Sequence, residues 1–402
     1  MPTRFRSIDA LRGFAALWVF AYHLWNAFCP GFSRQADPRD MLPLGADTPA
    51  DVVATFPLFG FGYAGIGLFF VLSGFCIHLP QAKRFHRTGS DGLELRPFAA
   101  RRFWRLYPAF FASLFIAGFA YFVMNVCWLR PVGDAGFTRN YLLDASGFGW
   151  IGLNALFLLA LQPKALGLNG VYWTLWYEVQ FYLAYPLLLK ACRRWGFWPI
   201  AGVLLAVELA FALVPAPEAL GGVKPHFEWF FLRRYFEWFL GMLLAEKLAA
   251  GQAMSLRTTG FVAVAGFAAG IAGTFHPVSW TIHELAFAIG SFGVVGFLIA
   301  RPSRDTESAP VRLFGWFGDF SYSLYLVHMP VMRIVFALET LLPTPVREAG
   351  SFTTAGIVCF AVVPAVAWAL YRLVEKPYMT GLPAKAAKQC SAVSAIPAAV
   401  PA

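Results

Sequence analysis

Three observations predict an all-α, polytopic integral membrane protein of about ten transmembrane helices, with one additional interfacial or re-entrant helix. Of 402 residues, 58% are hydrophobic and 17% aromatic, while only 13% are charged, against about 25% charged in soluble domains. Apolar runs long enough to cross a hydrocarbon core of about 30 Å recur along most of the chain. The basic residues behind the net charge of +10 gather in the loops between those runs. That is how cytoplasmic loops are marked, so the charge gives no reason to invoke nucleic acid.

The first run, 8–29, follows Arg4 and Arg6 and could be taken for a cleaved leader. Arg12 interrupts it, and no small-residue cleavage site precedes Cys29-Pro30, so it reads as a retained helix. Runs 59–80 and 105–129 flank a loop carrying Lys83, Arg84, Arg87, Arg96, Arg101, Arg102 and Arg105, on the same side as Arg4 and Arg6. If the next stretch, 148–162, crossed fully, Lys190, Arg193 and Arg194 would fall outside. Read as interfacial or re-entrant, it leaves them inside together with Lys247, Arg257, Arg301, Arg304, Arg312, Arg372 and Lys376. The remaining spans are then 170–191, 197–215, 227–249, 258–275, 281–300, 314–338 and 351–374, with both termini cytoplasmic. Residues 1–380 form the membrane domain, and the Pro/Ala-rich 381–402 reads as a disordered tail. Six scattered cysteines without a CxxC, and no histidines at metal spacing, support neither disulfides nor a metal site.

An ionisable side chain inside a membrane helix costs about 2.5–3.5 kcal/mol on insertion scales, so each one needs a partner, a cavity or a task. Arg12 and His23 are eleven residues apart, about three turns, and so share a helix face about 16 Å apart along the axis. Arg12 could simply pair with Asp9, and His23 could be a hydrogen-bonded interfacial histidine. Equally, both could line one cavity. Glu178 lies about eight residues into its span and His328 some twelve residues up another, which sets them at a depth similar to that of His23. Arg102 and Arg105 share a face at the mouth of the third span, where guanidinium forks suit either lipid headgroups or the phosphates of a ligand. Arg233 and Glu237, four apart, are expected to neutralise each other, leaving Arg234 in need of an acidic partner. The glycines of "GIGLFFVLSGF" (65–75) are expected to let helices pack closely.

Read together, these segments resemble the acyltransferase-3 family of membrane-integral acyltransferases, which O-acylate cell-surface and secreted glycans. The resemblance covers residues 6 to 378. Arg12 to His23 resembles the family's Arg-x10-His signature, and "GIGLFFVLSGFCIH" its second-helix segment. "RRFWRLYP" (101–108) resembles its Arg-x-x-Arg element, and "WTLWYEVQFYLAYPLL" a later segment that sets Glu178 on the family acid. "FGDFSYSLYLVHMPV" and "VEKP" resemble its closing segments. Tyr177-Glu178 departs from the two consecutive acids of many relatives. No hydrolase-like extracellular domain follows the tail, so acceptor contacts are expected from the membrane domain and its loops.

The resemblance implies a transferase moving an acyl group, most commonly acetyl, from acyl-CoA on the cytoplasmic side to a glycan or lipid-linked saccharide hydroxyl. Acyl-CoA is then a co-substrate, with no permanently bound cofactor, and the lipid bilayer is a partner, expected to be a bacterial inner membrane. His23 is expected to be the general base, with Glu178 orienting it and Arg12 either extending donor binding or stabilising developing charge. Arg101, Arg102 and Arg105 are the candidates for the donor phosphates. Those for the acceptor are His328, Tyr177, Trp173, Arg234 and Tyr322. The competing class is a transporter of a lipid-linked saccharide or an anion that uses the same intramembrane charges. Its expected signs, helices broken at matching places in two halves, are not found in the sequence.

Overall fold

The computed structural model describes residues 6–28, 61–90, 92–125, 169–213, 231–274, 280–301, 308–339, 341 and 344–379. Among the described residues every regular element is helical: α1 (Arg6–Phe28), α2 (Ala64–Thr88), α3 (Leu95–Asn125), α4 (Trp173–Trp195), α5 (Phe197–Ala212), α6 (Tyr235–Ala249), α7 (Leu256–Thr274), α8 (Trp280–Ala300), α9 (Ala309–Asp319), α10 (Ser321–Glu339) and α11 (Thr344–Leu370). Short 3-10 turns, Gly170–Tyr172 and Phe231–Arg233, lead into α4 and α6, and a π turn, Tyr371–Glu375, continues α11. The ambiguous stretch 148–162 and the tail 381–402 lie outside the described residues.

Six described segments are long and apolar enough to cross a bilayer: Ala64–Thr88, Leu95–Met124, Leu256–Gly273, Thr281–Ala300, Ser321–Leu338 and Ala355–Met379. Of the other expected spans, α1 and α4 have 23 residues each but carry several charges, while α5 and α6 have 16 and 15 residues, short of the 17 to 25 or so that span unaided. The expected span 314–338 is two helices. The chain breaks at Phe320 (φ −120°, ψ 21°), so that α9 lies against α1 and the crossing begins at Ser321.

The centre of the bundle is aromatic. Phe181 of α4 meets Phe70 of α2 edge-on at 5.1 Å and stacks on Tyr235 of α6 at 5.2 Å, with Trp238 fully buried beside them. Between α2 and α6 the backbones approach so closely that side chains are excluded. A Cβ on Gly74 would run into the Trp238 carbonyl, and one on Gly241 into the Val71 carbonyl. In the same way Gly13 and Gly318 let α1 meet α9 backbone to backbone, at the Phe314 and Asp9 carbonyls. The expected packing role of the glycines in 65–75 is thus seen at Gly74. Replacing Gly74 or Gly241 by Ala should destabilise the fold by about 1–3 kcal/mol through overpacking. Thermal unfolding in detergent reads this out as a lowered midpoint, and unchanged midpoints for both variants would contradict the close approach.

Candidate active site

A cavity of about 680 Å³ opens among α1, α2, α3, α4 and α10, with Asp319 at the end of α9 and Tyr371, Lys376 and Met379 in and after the π turn. One end of it is basic. Arg12, Arg102, Arg105 and Lys376 line it together with Asp9 and Asp319. Arg12 pairs with Asp9 at 2.5 Å, the local pairing foreseen from the sequence, and still lines the cavity. The spacing of three brings Arg102 and Arg105 to the same cavity, whereas Arg101 is exposed elsewhere on α3. Arg105 lies 3.6 Å from Glu375, whose carboxylate accepts from Ser323 at 2.6 Å. Arg102 lies over the rings of Phe98 and Tyr182.

The middle of the cavity carries Ser73, Cys76, Glu178, Tyr182 and Tyr322. Tyr182 and Ser73 (3.3 Å) both donate to the Glu178 carboxylate, and Trp238 donates to Ser73 at 3.1 Å. Tyr322 donates to the Leu106 carbonyl at 2.9 Å, tying α10 to α3. Glu178 therefore sits one turn from the basic end, bonded to Ser73 and Tyr182, and does not bond His23 as expected. The reason is where α4 begins. The fully buried Asn169 donates to the Leu326 carbonyl in the second turn of α10 at 2.8 Å, and the buried Tyr172 shares a hydrogen bond with Ser113 of α3 at 2.8 Å. The helix starts inside the bundle, so counting its residues from a membrane surface misplaces Glu178.

The opposite end is apolar: Ile66, Phe69, Phe70, Leu175, Thr174 and Tyr325. Thr174 donates to the Tyr325 hydroxyl at 2.7 Å, and that hydroxyl donates to the Val171 carbonyl at 3.1 Å. Behind the Tyr325 ring, 5.7 Å away, lies the ring of His328, and next to it His23, with Nε2 of His328 at 3.3 Å from Nδ1 of His23. The matching depths of these two histidines thus become a contact, although neither lines the cavity. Backbone carbonyls only accept, so a ring nitrogen that faces one is placed to donate. Nδ1 of His328 faces the carbonyls of Tyr325 at 2.7 Å and Leu324 at 3.2 Å, so it carries the proton. Nδ1 of His23 faces the Val19 carbonyl at 2.9 Å, where an Nδ1–H is placed to donate.

Arg234, Trp173 and Tyr177 form a neighbouring layer. Arg234 pairs twice with Glu237, at 2.7 and 2.9 Å, and with Glu284 at 3.0 Å, and it lies over the rings of Phe70 and Trp173. Arg233 reaches Glu284 at 3.6 Å, so the expected Arg233–Glu237 pair is replaced. Phe231–Arg233 is a 3-10 turn and α6 starts only at Tyr235, so the helical spacing of four does not apply to Arg233. Tyr177 is packed edge-on against Trp173 at 5.7 Å in the core. Sequence reading passed over Ser73, Tyr182, Thr174 and Tyr325, whose hydroxyls give no charge signal in an apolar run. Tyr182, four residues after Glu178, was the one with a usable helical spacing.

With this geometry in view, the comparisons with known proteins identify the relatives. An acyltransferase MdmB of Streptomyces mycarofaciens is 26% identical over 347 residues, covering 82% of this chain and 79% of that protein. Nodulation protein 10 of Rhizobium leguminosarum bv. viciae is 25% identical, covering 83% and 84%. The peptidoglycan O-acetyltransferase OatA of Listeria monocytogenes is 24% identical, and the match covers 85% of this chain but 50% of that longer protein. No solved structure matches the chain. The acyltransferase-3 family model, described as an acyltransferase domain, matches residues 5–372, nearly the whole chain, which therefore belongs to the acyltransferase-3 family of membrane acyltransferases.

Proposed function

We propose that this protein transfers a short acyl group, acetyl in the simplest case, from acyl-CoA to a hydroxyl of a cell-surface or secreted glycan. One observation carries the reading: a single cavity runs from three arginines to an apolar end backed by two histidines in contact. Guanidinium groups suit the phosphates of CoA. Helix rise over Ile66 to Ile77, both lining residues, gives the cavity a depth of about 16 Å, room for an extended arm to reach inward. On this reading the basic end faces the cytoplasm and the acceptor approaches from the other side.

In the reaction, Nε2 of His23 takes the proton of the acceptor hydroxyl as its oxygen attacks the thioester carbonyl. The new ester C–O bond forms, the C–S bond breaks, and the leaving thiolate takes up the proton as CoA–SH. In this scheme the Nδ1–H of His23 is shared between the Val19 carbonyl at 2.9 Å and Nε2 of His328 at 3.3 Å, which holds the ring in the base tautomer and stabilises its cation. That orienting task, expected of Glu178, passes to His328. Glu178 instead accepts from Tyr182 and Ser73 and sets the wall of the donor cavity. Arg12, about 16 Å from His23 along α1, serves the donor end rather than the reacting carbonyl.

Loss of a general base costs about 100- to 10,000-fold, so His23→Ala should abolish O-acyl mass on the glycans of cells that depend on this protein. Glycans acylated at the wild-type level would refute the base assignment. Arg105→Ala removes one charged phosphate contact of about 1.5–3 kcal/mol, which is roughly a tenfold or greater rise in KM for acyl-CoA. Initial-rate assays with purified protein check this, and an unchanged KM would remove Arg105 from the donor site.

A further inference from the structure

The cavity does not run on to the histidines. It ends on the Tyr325 side chain, which is only 7% exposed and fixed from three directions. Thr174 donates to its hydroxyl, the hydroxyl donates to the Val171 carbonyl, and Phe69 meets its ring edge-on at 5.9 Å. Val171 and Thr174 stand at the buried start of α4, which Asn169 anchors to the carbonyl of Leu326, the residue after Tyr325. The wall and the element bracing it are thus tied to the same turn of α10. His328 lies on the far face of this wall and His23 beyond it. On the cavity side Ile66, Phe69, Phe70 and Leu175 make the space apolar.

We propose that Tyr325, braced by Thr174 and the Val171 carbonyl and backed by Phe69, is the residue that limits the length of the acyl group this protein accepts. The inference rests on the donor reading of the cavity. An acyl tail fits the apolar end and abuts the tyrosine ring, so each added carbon pushes the thioester carbonyl back along the cavity, away from Tyr325 and toward Glu178. A short acyl group leaves the carbonyl beside the Tyr325 ring, with His328 behind it. The hydroxyl of Tyr325 holds the ring in place, while the ring itself forms the barrier. The substrate class that follows is acyl-CoA with a tail of a few carbons, and long fatty acyl-CoA is excluded by the wall.

The test is direct binding of CoA, acetyl-CoA, butyryl-CoA and hexanoyl-CoA to the full-length protein in nanodiscs, by calorimetry, for wild type, Tyr325→Ala, Tyr325→Phe and Phe69→Ala. A single methylene at a close-fitting apolar site is worth about 10- to 200-fold. Wild type should therefore bind hexanoyl-CoA at least about tenfold more weakly than acetyl-CoA. Tyr325→Ala and Phe69→Ala should bring hexanoyl-CoA level with acetyl-CoA or better, and Tyr325→Phe, which keeps the ring, should keep the wild-type order. Phe69 is only partly buried, so its variant decides the matter if Tyr325→Ala fails to fold. Equal binding of acetyl- and hexanoyl-CoA by wild type, or an unchanged order in Phe69→Ala, would overturn the assignment of the wall. Absence of binding by CoA and all three thioesters to wild type would overturn the donor reading itself.

Discussion

The hydrogen bond from the Asn169 side chain to the Leu326 carbonyl, fully buried at 2.8 Å, sets the level of everything in the candidate site. A polar side chain buried without a partner costs several kcal/mol in an apolar medium, so this amide holds the start of α4 at the second turn of α10. From that anchor follow the brace on Tyr325, the position of Thr174 and, one turn further, the entry of Glu178 into the cavity beside Ser73 and Tyr182. Had α4 begun at a membrane surface, Glu178 would lie level with the histidines instead of beside Ser73 and Tyr182. The separation into a charged half and a histidine half is thus built on one side-chain amide.

At the start of α6, buried charge is tolerated because it is matched locally. Arg234 and Glu237, both almost fully buried, form a two-pronged pair, and Arg234 shares Glu284 with Arg233. Such a buried pair is weak evidence for stability, since desolvation offsets much of the attraction. Its effect is positional, holding the start of α6 against Phe70 and Trp173 next to the apolar end of the cavity. At the basic end the arginines are only partly matched, by Asp9 and Glu375. They line open space there, where an anionic ligand can complete them.

Much of this was legible from the sequence, for identifiable reasons. Helical spacing put Arg102 and Arg105 on one face, and depth counting matched His23 with His328, because α1, α3 and α10 are regular helices around those residues. The same counting failed for Glu178, whose helix starts in the interior, and for Arg233, which lies in a 3-10 turn. Nothing in "FGDFSYSLYLVHM" announced the break at Phe320, since the apolar pattern continues across it. Tyr325 and Ser73 stayed hidden because a hydroxyl in an apolar run looks like any other core residue until its partners are known. The family was readable in the motifs. The division of labour between Glu178 and His328 needed the three-dimensional arrangement.

The central claim, that the arginine-lined cavity is the donor site, is tested most directly through Cys76. This thiol is exposed among the lining residues, whereas Cys192 and Cys359 are buried. In a variant keeping Cys76 as its single cysteine, the rate of maleimide labelling is measured with and without a CoA thioether that carries no free thiol. Labelling that slows in proportion to occupancy by the thioether is the predicted result. A labelling rate unchanged at saturating thioether would place the donor elsewhere and contradict the account.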